Sequence, residues 1–378
     1  MAYQSVDKLQ KLLAEGVFQH TKAPRKAAGR ALGTLVEIIT CYLLKTWGLN
    51  PYISIERGLE EYGNPAIIHN VEYSLHPVVW QTLIKIENTK SITASIILNS
   101  LKKQGIDVNR FEKKTHYLLK DGILRNACTV ARSPHSFLLC SIKTRTEDFI
   151  EIHVFEQYTK PFTIFECKRV GVEEGMSKGP QTIEKAKQGA YVAKTASSLQ
   201  KIRTENGELH GIIYKSDGSY IIKPFIKLME QIISSNDKEL LRKFILTVGI
   251  VSNHGNWFTA SSHNKELKVL AQSYDWLLFL TDDGLSEFIE NLLLNPEKKY
   301  HFIKDIFLLS YAEAKKKNQF TKVQMNMEAD AILTDYFAGN RHKIESWFNI
   351  ISPKEKTLSD LQSELNELAN KNWKYILQ

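Results

Sequence analysis

The chain has 378 residues, 43% hydrophobic and 24% charged, a balance that suits a folded globular chain and excludes a disordered or low-complexity one. No run approaches the roughly 20 apolar residues of a membrane span, and the N-terminus carries no secretion pattern. The net charge of +8 is unevenly spread: residues 1–36, 85–145 and 160–203 carry local charges of +4, +8 and +5, and the remainder sums to −9. Such segregation points to a phosphate polyanion as partner. The four cysteines, Cys41, Cys128, Cys140 and Cys167, have no CxxC spacing. That speaks against a zinc site or a disulfide framework and for a reducing cytoplasm.

Residues 4–19 read as an amphipathic helix, with Leu9, Leu12, Leu13 and Val17 on one side. The stretch Gln19–Gly29 is basic and holds Pro24, and it reads as a loop or arm. Residues 29–47 predict a helix that is apolar on nearly every face, closed by Gly48. Glu37 lies on that helix among Gly33, Cys41 and Leu44 at helical spacing. An acid there needs a reason: a buried cation or backbone partner, or a functional role. Between 50 and 130, short apolar runs (Ile67–Ile68, Val78–Ile86, Ile92–Leu101) alternate with Gly, Pro and Asn. Helices and a small basic subdomain are expected there, with Lys102, Lys103, Arg110, Lys113 and Lys114 as phosphate contacts.

Residues 136–145 predict a strand, followed by strands at 149–156 and 162–168 around a Pro-containing turn at Gln157–Pro161, a hairpin signal. Side chains two apart share a strand face. Asp148 therefore heads the stripe of Ile150, Ile152 and Val154, while Glu166 and Lys168 end the stripe of Phe162 and Ile164. Charges at the ends of apolar stripes are expensive unless they pair or bind metal. Glu151 falls on the opposite face from Asp148. The pattern acid-x-Lys is weak alone and starts at Glu112, Glu166, Glu266, Glu297 and Glu313. Only the copy at Glu166 ends a β-branched and aromatic run. The plain alternative for Glu166 and Lys168 is a surface cross-strand ion pair. Cys167 points away from Glu166 and reads as a buried apolar filler.

A loop at 171–179 follows, then a helix from Gly179-Pro180 to about Arg203. Its small face is Ile183, Ala186, Ala190, Ala193 and Ser197; its outer face carries Lys185, Lys187, Lys194 and Lys201. Gln188 and Tyr191 sit near the small face. Phe244–Ser252 and Tyr274–Thr281 read as strands, and the chain from about Gly284 reads as helical, at 285–294, 299–317, 326–337 and 358–376. Three regions follow, packed as one unit: 1–130, helical and DNA-contacting, with the core helix 29–47; 131–283, the catalytic core; and 284–378, a helical scaffold or dimerisation layer. Periodicity alone gives an α/β or α+β chain with a mixed central sheet flanked by helices.

Asp148, Glu166 and Lys168 resemble the D…(D/E)xK signature of the PD-(D/E)xK nuclease superfamily, which includes many type II restriction endonucleases. The resemblance spans about Gly29 to Ile250, and departs from the pattern in having Glu147 where a Pro precedes the first acid. It implies an αβββαβ core with helical elaborations. It also implies that Asp148, Glu166 and the Cys167 carbonyl hold Mg²⁺, for which Mn²⁺ substitutes. Glu37 is the matching acid on the core helix. Carboxylate oxygens suit Mg²⁺, which stabilises phosphate charge and lowers the pKa of a bound water. Lys168 then positions the water and balances charge.

The partner so implied is double-stranded DNA, cut by a homodimer, with no membrane, in the cytoplasm of a prokaryotic cell. Base reading needs Arg, Lys, Asn or Gln at base edges. The candidates are Lys178, Gln181, Lys185, Gln188, Asn253 and His254, although the last two also suit ordinary turn chemistry. Three function classes stay open: a type II restriction endonuclease; another nuclease of the superfamily, acting in repair or on branched or modified DNA; and a non-catalytic nucleic-acid-binding protein whose charged trio is a structural ion-pair network.

Overall fold

The computed structural model describes residues 6–19, 23–170, 180–253, 265–311 and 318–378. Helix α1 (Val6–Gly16) buries Leu9 and Leu13 beside α2 (Pro24–Thr46). Pro24 opens α2. Its missing N–H costs nothing in a first helical turn, so residues 24–29 of the segment expected as an arm are the start of the core helix. By length and composition α2 resembles a membrane-crossing helix, yet 67% of its apolar window is buried inside the protein. Gly48, at φ 77°, follows α2 in a conformation that suits glycine.

The chain then lays down β1 (Ile53–Glu61), β2 (Asn64–Leu75), β3 (Val78–Glu87), β4 (Ser91–Thr93), α3 (Ala94–Lys103), β5 (Glu112–Lys113), β6 (Tyr117–Lys120), β7 (Ile123–Arg125), β8 (Cys128–Arg132), β9 (Ser136–Arg145), β10 (Phe149–Tyr158) and β11 (Thr163–Val170). The helices expected over 50–130 are thus mainly strands, with α3 the exception among the longer elements. The short apolar runs there are strand faces, and the Gly and Asn between them turn hairpins: Gly63 and Gly122 take positive φ. After α4 (Pro180–Ala196) come β12 (Gln200–Arg203), β13 (Leu209–Tyr214), β14 (Tyr220–Pro224), α5 (Phe225–Ser234), α6 (Lys238–Lys243), β15 (Leu246–Asn253), α7 (Lys265–Ser273), β16 (Trp276–Leu280), α8 (Asp282–Ile289), α9 (His301–Tyr311), β17 (Gln324–Asn326), α10 (Met327–Gly339), α11 (Arg341–Glu345), β18 (Phe348–Ser352), α12 (Leu358–Ala369) and α13 (Trp373–Leu377). Helix α4 is shorter than expected. Just past its end, Ser197 Oγ accepts from the main-chain N–H groups of Leu199 and Ile245, and the chain turns off towards β12.

The main sheet has the order β1-β2-β11-β15-β16-β18. Strands β11, β15 and β16 are parallel, while β1, β2 and β18 run antiparallel to their neighbours. Every residue of β15 is buried, as expected of a parallel strand covered on both faces. Helix α2 covers one face: Leu35, Ile39 and Leu43 pack in one core with Tyr73, Leu75, Phe165 and Cys167. Helices α4 and α7 cover the other, where Ala190 and Ala193 pack with Val251, Leu270 and Tyr274. The small residues of α4 let it approach the sheet closely. Strand β18 lies in the region read as wholly helical; with β17 it shows that the C-terminal part is mixed.

The hairpin expected at 149–168 does not form. Strand β10 belongs to a second sheet, ordered β3-β10-β9-β8-β5, and both its edges are taken, by β3 and β9. Strand β11 is likewise flanked on both sides, by β2 and β15. Beside the turn, neither has a free edge for the other. Instead β2 runs on into β3 and β10 into β11, and the two paths stay side by side: Phe162 N–H donates to Leu75 O at 2.8 Å and Tyr158 N–H to Pro77 O at 3.0 Å. Pro77 and Pro161, without N–H groups, interrupt the ladders where one sheet passes into the other. The second sheet has its own core, including Ile84, Leu98, Leu118, Val130, Cys140 and Ile152.

Candidate active site

Glu166 sits on β11 at the point where β2 and β11 part: their pairing covers Thr163–Phe165 against Tyr73–Leu75 and goes no further. Glu166 is 3% exposed. One carboxylate oxygen accepts from Lys168 Nζ at 3.0 Å and the other from the main-chain N–H of Glu72 at 3.3 Å. Burial raises the Glu166 pKa above the usual carboxylate value, and Lys168 opposes the rise. Lys168 is partly exposed and faces the cleft.

Glu72 brings further acids with it. Its carboxylate touches Lys322 Nζ, which also lies 3.4 Å from Glu37 and 3.2 Å from Glu56. Glu56 has φ 52°, a left-handed conformation on β1, and the register Ile55↔Tyr73 and Arg57↔Val71 sets it opposite Glu72. Such a backbone costs energy for a residue with a Cβ and recurs at functional sites. Glu37 projects from α2, whose position is fixed at this turn: Tyr73 Oη donates to the Glu37 carbonyl at 2.7 Å, and Cys167 Sγ donates to Thr40 Oγ1 at 3.4 Å. Burial raises the Glu37 pKa, with Lys322 pulling it back. Glu37 thus has both a buried cation as partner and a place in the cluster.

Lys322 arrives from the segment before β17 and is 6% exposed. Asn126 pins it, donating its main-chain N–H to the Val323 carbonyl at 2.9 Å and its side-chain amide to the Lys322 carbonyl at 3.1 Å. Asn126 in turn accepts from Lys45, which pairs with Asp330 at 3.0 Å. Four carboxylates (Glu37, Glu56, Glu72, Glu166) therefore face two ammonium groups (Lys168, Lys322), a formal excess of two negative charges.

Behind Lys168 stands α4 with no side chain in the way. A Cβ on Gly189 would lie 3.3 Å from Lys168 Cε and 2.7 Å from Tyr274 Oη. Tyr274 is buried, its hydroxyl has no hydrogen-bond partner among the described residues, and burial followed by the charge of Glu166 raises its pKa well above the ordinary tyrosine value. In front is a cleft of about 600 Å³ lined by His69, Asn70, Glu166, Lys168, Gln188 and Tyr191, among others. His69 Nε2 and Tyr191 Oη both meet Glu61 Oε2, at 3.2 and 2.9 Å.

The expected site residues divide accordingly. Glu37, Glu166, Cys167 and Lys168 come together, and Gln188 lines the same cleft. Asp148 does not join them. It is exposed in the bend before β10 in the second sheet, where its carbonyl accepts from Asn88 N–H. Strand β10 rises roughly 30 Å from that end to the crossing into β11. Glu151, the alternative, pairs with Lys143 at 3.7 Å on β10. Asn253 is 3% exposed, with its amide on Asp282 at 3.2 Å, so it is not presented at the surface for base reading. Lys178 and His254 lie outside the described residues, as do the side chains of Gln181 and Lys185.

Sequence reasoning missed Glu72, Glu56, Lys322 and Tyr274. The signal for Glu72 was present: Val71-Glu72-Tyr73-Ser74-Leu75 alternates apolar and polar ahead of Pro77. Among the described residues, no three acidic, histidine or cysteine side chains are spaced to hold a metal ion as they stand; the ammonium of Lys322 fills the centre of three carboxylates. Comparison with protein-family models, curated proteins and solved structures finds no match.

Proposed function

We propose that the chain is a Mg²⁺-dependent nuclease of the PD-(D/E)xK type, a type II restriction endonuclease that hydrolyses double-stranded DNA at a short sequence, in which Glu72 fills the role first read at Asp148. The observation that carries this reading is the Glu72 N–H to Glu166 hydrogen bond beside Lys168, at the mouth of a cleft. The element order α2-β1-β2-β11-α4-β15, with the second sheet inserted between β2 and β11, supports an αβββαβ core. The donor set supports a hard divalent cation, because it is all carboxylate and carries two negative charges beyond its lysines.

Glu72, Glu166 and the Cys167 carbonyl would hold the cation, with Glu37 beside them. When bound, Mg²⁺ supplies charge neutralisation at the phosphate and a more acidic water. The residues of the chain do the rest. Lys168, held by Glu166, orients a water in the cleft and offsets charge on the phosphate. Gly189 keeps the α4 side clear for it. Gln188 and Asn70 offer amides to the substrate from the cleft wall. A homodimer suits two antiparallel strands cut at a symmetric site.

The Lys322 contacts favour one second reading, that the carboxylates form a structural ion-pair network in a non-catalytic DNA-binding protein. One experiment separates the two: incubation of a mapped plasmid with Mg²⁺ or with EDTA, for wild type and Lys168→Ala. Discrete fragments that need Mg²⁺ and vanish in the variant are expected. Plasmid left intact in every metal, with methylated and branched duplexes also uncut, would overturn the nuclease reading.

A further inference from the structure

A cavity of about 960 Å³ lies between the β1–β2 hairpin and the β8–β9 side of the second sheet. Its lining includes six cations, Arg57, Arg110, Arg132, Lys160, Arg242 and Lys243, against Glu60, Glu61 and Glu112, a formal +3. Three of the cations have acidic partners: Arg110 with Glu156 at 2.5 Å, Arg132 with Glu112 at 2.9 Å and Lys243 with Glu239 at 3.7 Å.

Among the described residues, the other three meet only neutral groups. The Arg57 guanidinium lies 3.7 Å from the Phe137 ring centroid and donates to the Thr129 hydroxyl. Lys160 Nζ donates to the carbonyls of Phe244 at 2.9 Å and Pro161 at 3.3 Å. Arg242 Nε donates to the Ile376 carbonyl at 2.6 Å. Withdrawing Arg57 and Lys160 from water without a counter-charge is costly, while Arg242 stays exposed at the rim. The strain on charge is visible at His76, which lines the same cavity: burial, Arg57 and Lys160 push it down to about 3. A cavity walled by two withdrawn cations with no acidic partner among the described residues, and by Arg242 at its rim, is matched to an anion. Guanidinium groups fit oxyanions in a bidentate fashion, and a cavity this size takes far more than a bare ion.

We propose that this cavity binds a phosphate ester of nucleotide size, with Arg57, Lys160 and Arg242 as its cationic walls, at a place separate from the carboxylate cluster. Two sources share that chemistry. One is a free nucleotide. The other is a backbone phosphate of a nucleic-acid strand that also occupies the cleft at Glu166, since Ile68 lines both spaces; only this source rests on the nuclease reading.

The test is equilibrium dialysis of the full chain with inorganic phosphate and with deoxyadenosine 5′-monophosphate, in EDTA. The variants are Lys160→Met, Arg242→Gln and Glu166→Gln, each checked for folding by thermal melting. Lys160→Met removes a buried charge and Arg242 is exposed, so both are expected to fold. Wild type binds the mononucleotide saturably at one site per chain. Lys160→Met and Arg242→Gln each weaken binding about tenfold, and Glu166→Gln leaves it unchanged. Adding a short DNA duplex then identifies the source: competition marks a backbone phosphate, and independence marks a free nucleotide. Absence of saturable binding, or weakening by Glu166→Gln with none by Lys160→Met, would overturn the proposal. No step of this test measures cleavage, so its failure leaves the nuclease reading to its own experiment.

Discussion

The main-chain N–H of Glu72 and the carboxylate of Glu166 are 3.3 Å apart, although 94 residues separate them in the chain. That bond spans the point where β2 and β11 diverge and sets Glu72 beside Glu166. Substitution of Glu72 by Gln is expected to lower plasmid cleavage by more than about a hundredfold, beyond what losing a supporting partner of a metal ligand costs. Asp148→Asn should cleave as wild type does. A result with the two variants exchanged would return the first acid to Asp148.

Lys322 balances three carboxylates while 6% exposed. Removing one partner of a buried charge network costs about 3–5 kcal/mol. Lys322→Met should therefore lower unfolding free energy by about 3 kcal/mol in EDTA, read by urea denaturation. Mg²⁺ should restore part of the loss, and raise the midpoint of the variant more than that of wild type. A variant as stable as wild type would mean that Lys322 does not hold the acids together.

Gly189 is placed where only hydrogen fits. A methyl at 2.7 Å from Tyr274 Oη and 3.3 Å from Lys168 Cε forces one of them to move. Overpacking of this kind costs about 1–3 kcal/mol. Gly189→Ala is expected to melt at lower temperature and to cut DNA more slowly, with the loss in kcat rather than in DNA affinity. Full activity in a normally folded variant would show that the position of Lys168 against α4 is not needed.

Lys160 gives a pH dependence with a defined sign. Burial lowers its pKa from 10.5 to about 7. Between those values the unfolded chain holds a proton that the folded chain has released, so stability rises with pH through that window and the penalty is complete below about 7. Denaturation of wild type and Lys160→Met across the window should show the difference between them shrinking as pH rises. A difference that is constant with pH would rule out this titration.

The sequence exposes features that depend on neighbours along the chain. Helix α2, strands β9 and β15, and the acid-x-Lys pair at Glu166 follow from local periodicity, and the acid inside α2 was anomalous enough to single out Glu37. What stayed hidden depends on distance along the chain. The β10–β11 turn has every local mark of a hairpin, yet beside the turn each strand has both edges occupied by others. Glu72 lies in a strand whose first half, Asn64 to Asn70, is mostly exposed and reads as loop. Lys322 comes from a segment with no motif, placed by Asn126 on the far side of the chain.

The side-by-side crossing of β2 into β3 and β10 into β11 has an evolutionary consequence. Residues 78–158 leave and re-enter the main sheet at points already joined by hydrogen bonds from Tyr158 to Pro77 and from Phe162 to Leu75. A tight turn between Leu75 and Phe162 would close the sheet without rethreading the backbone. The block, with its separate core and with β17 borrowed from the C-terminal part, can be gained, lost or exchanged as a cassette while the carboxylate-bearing strands keep their register.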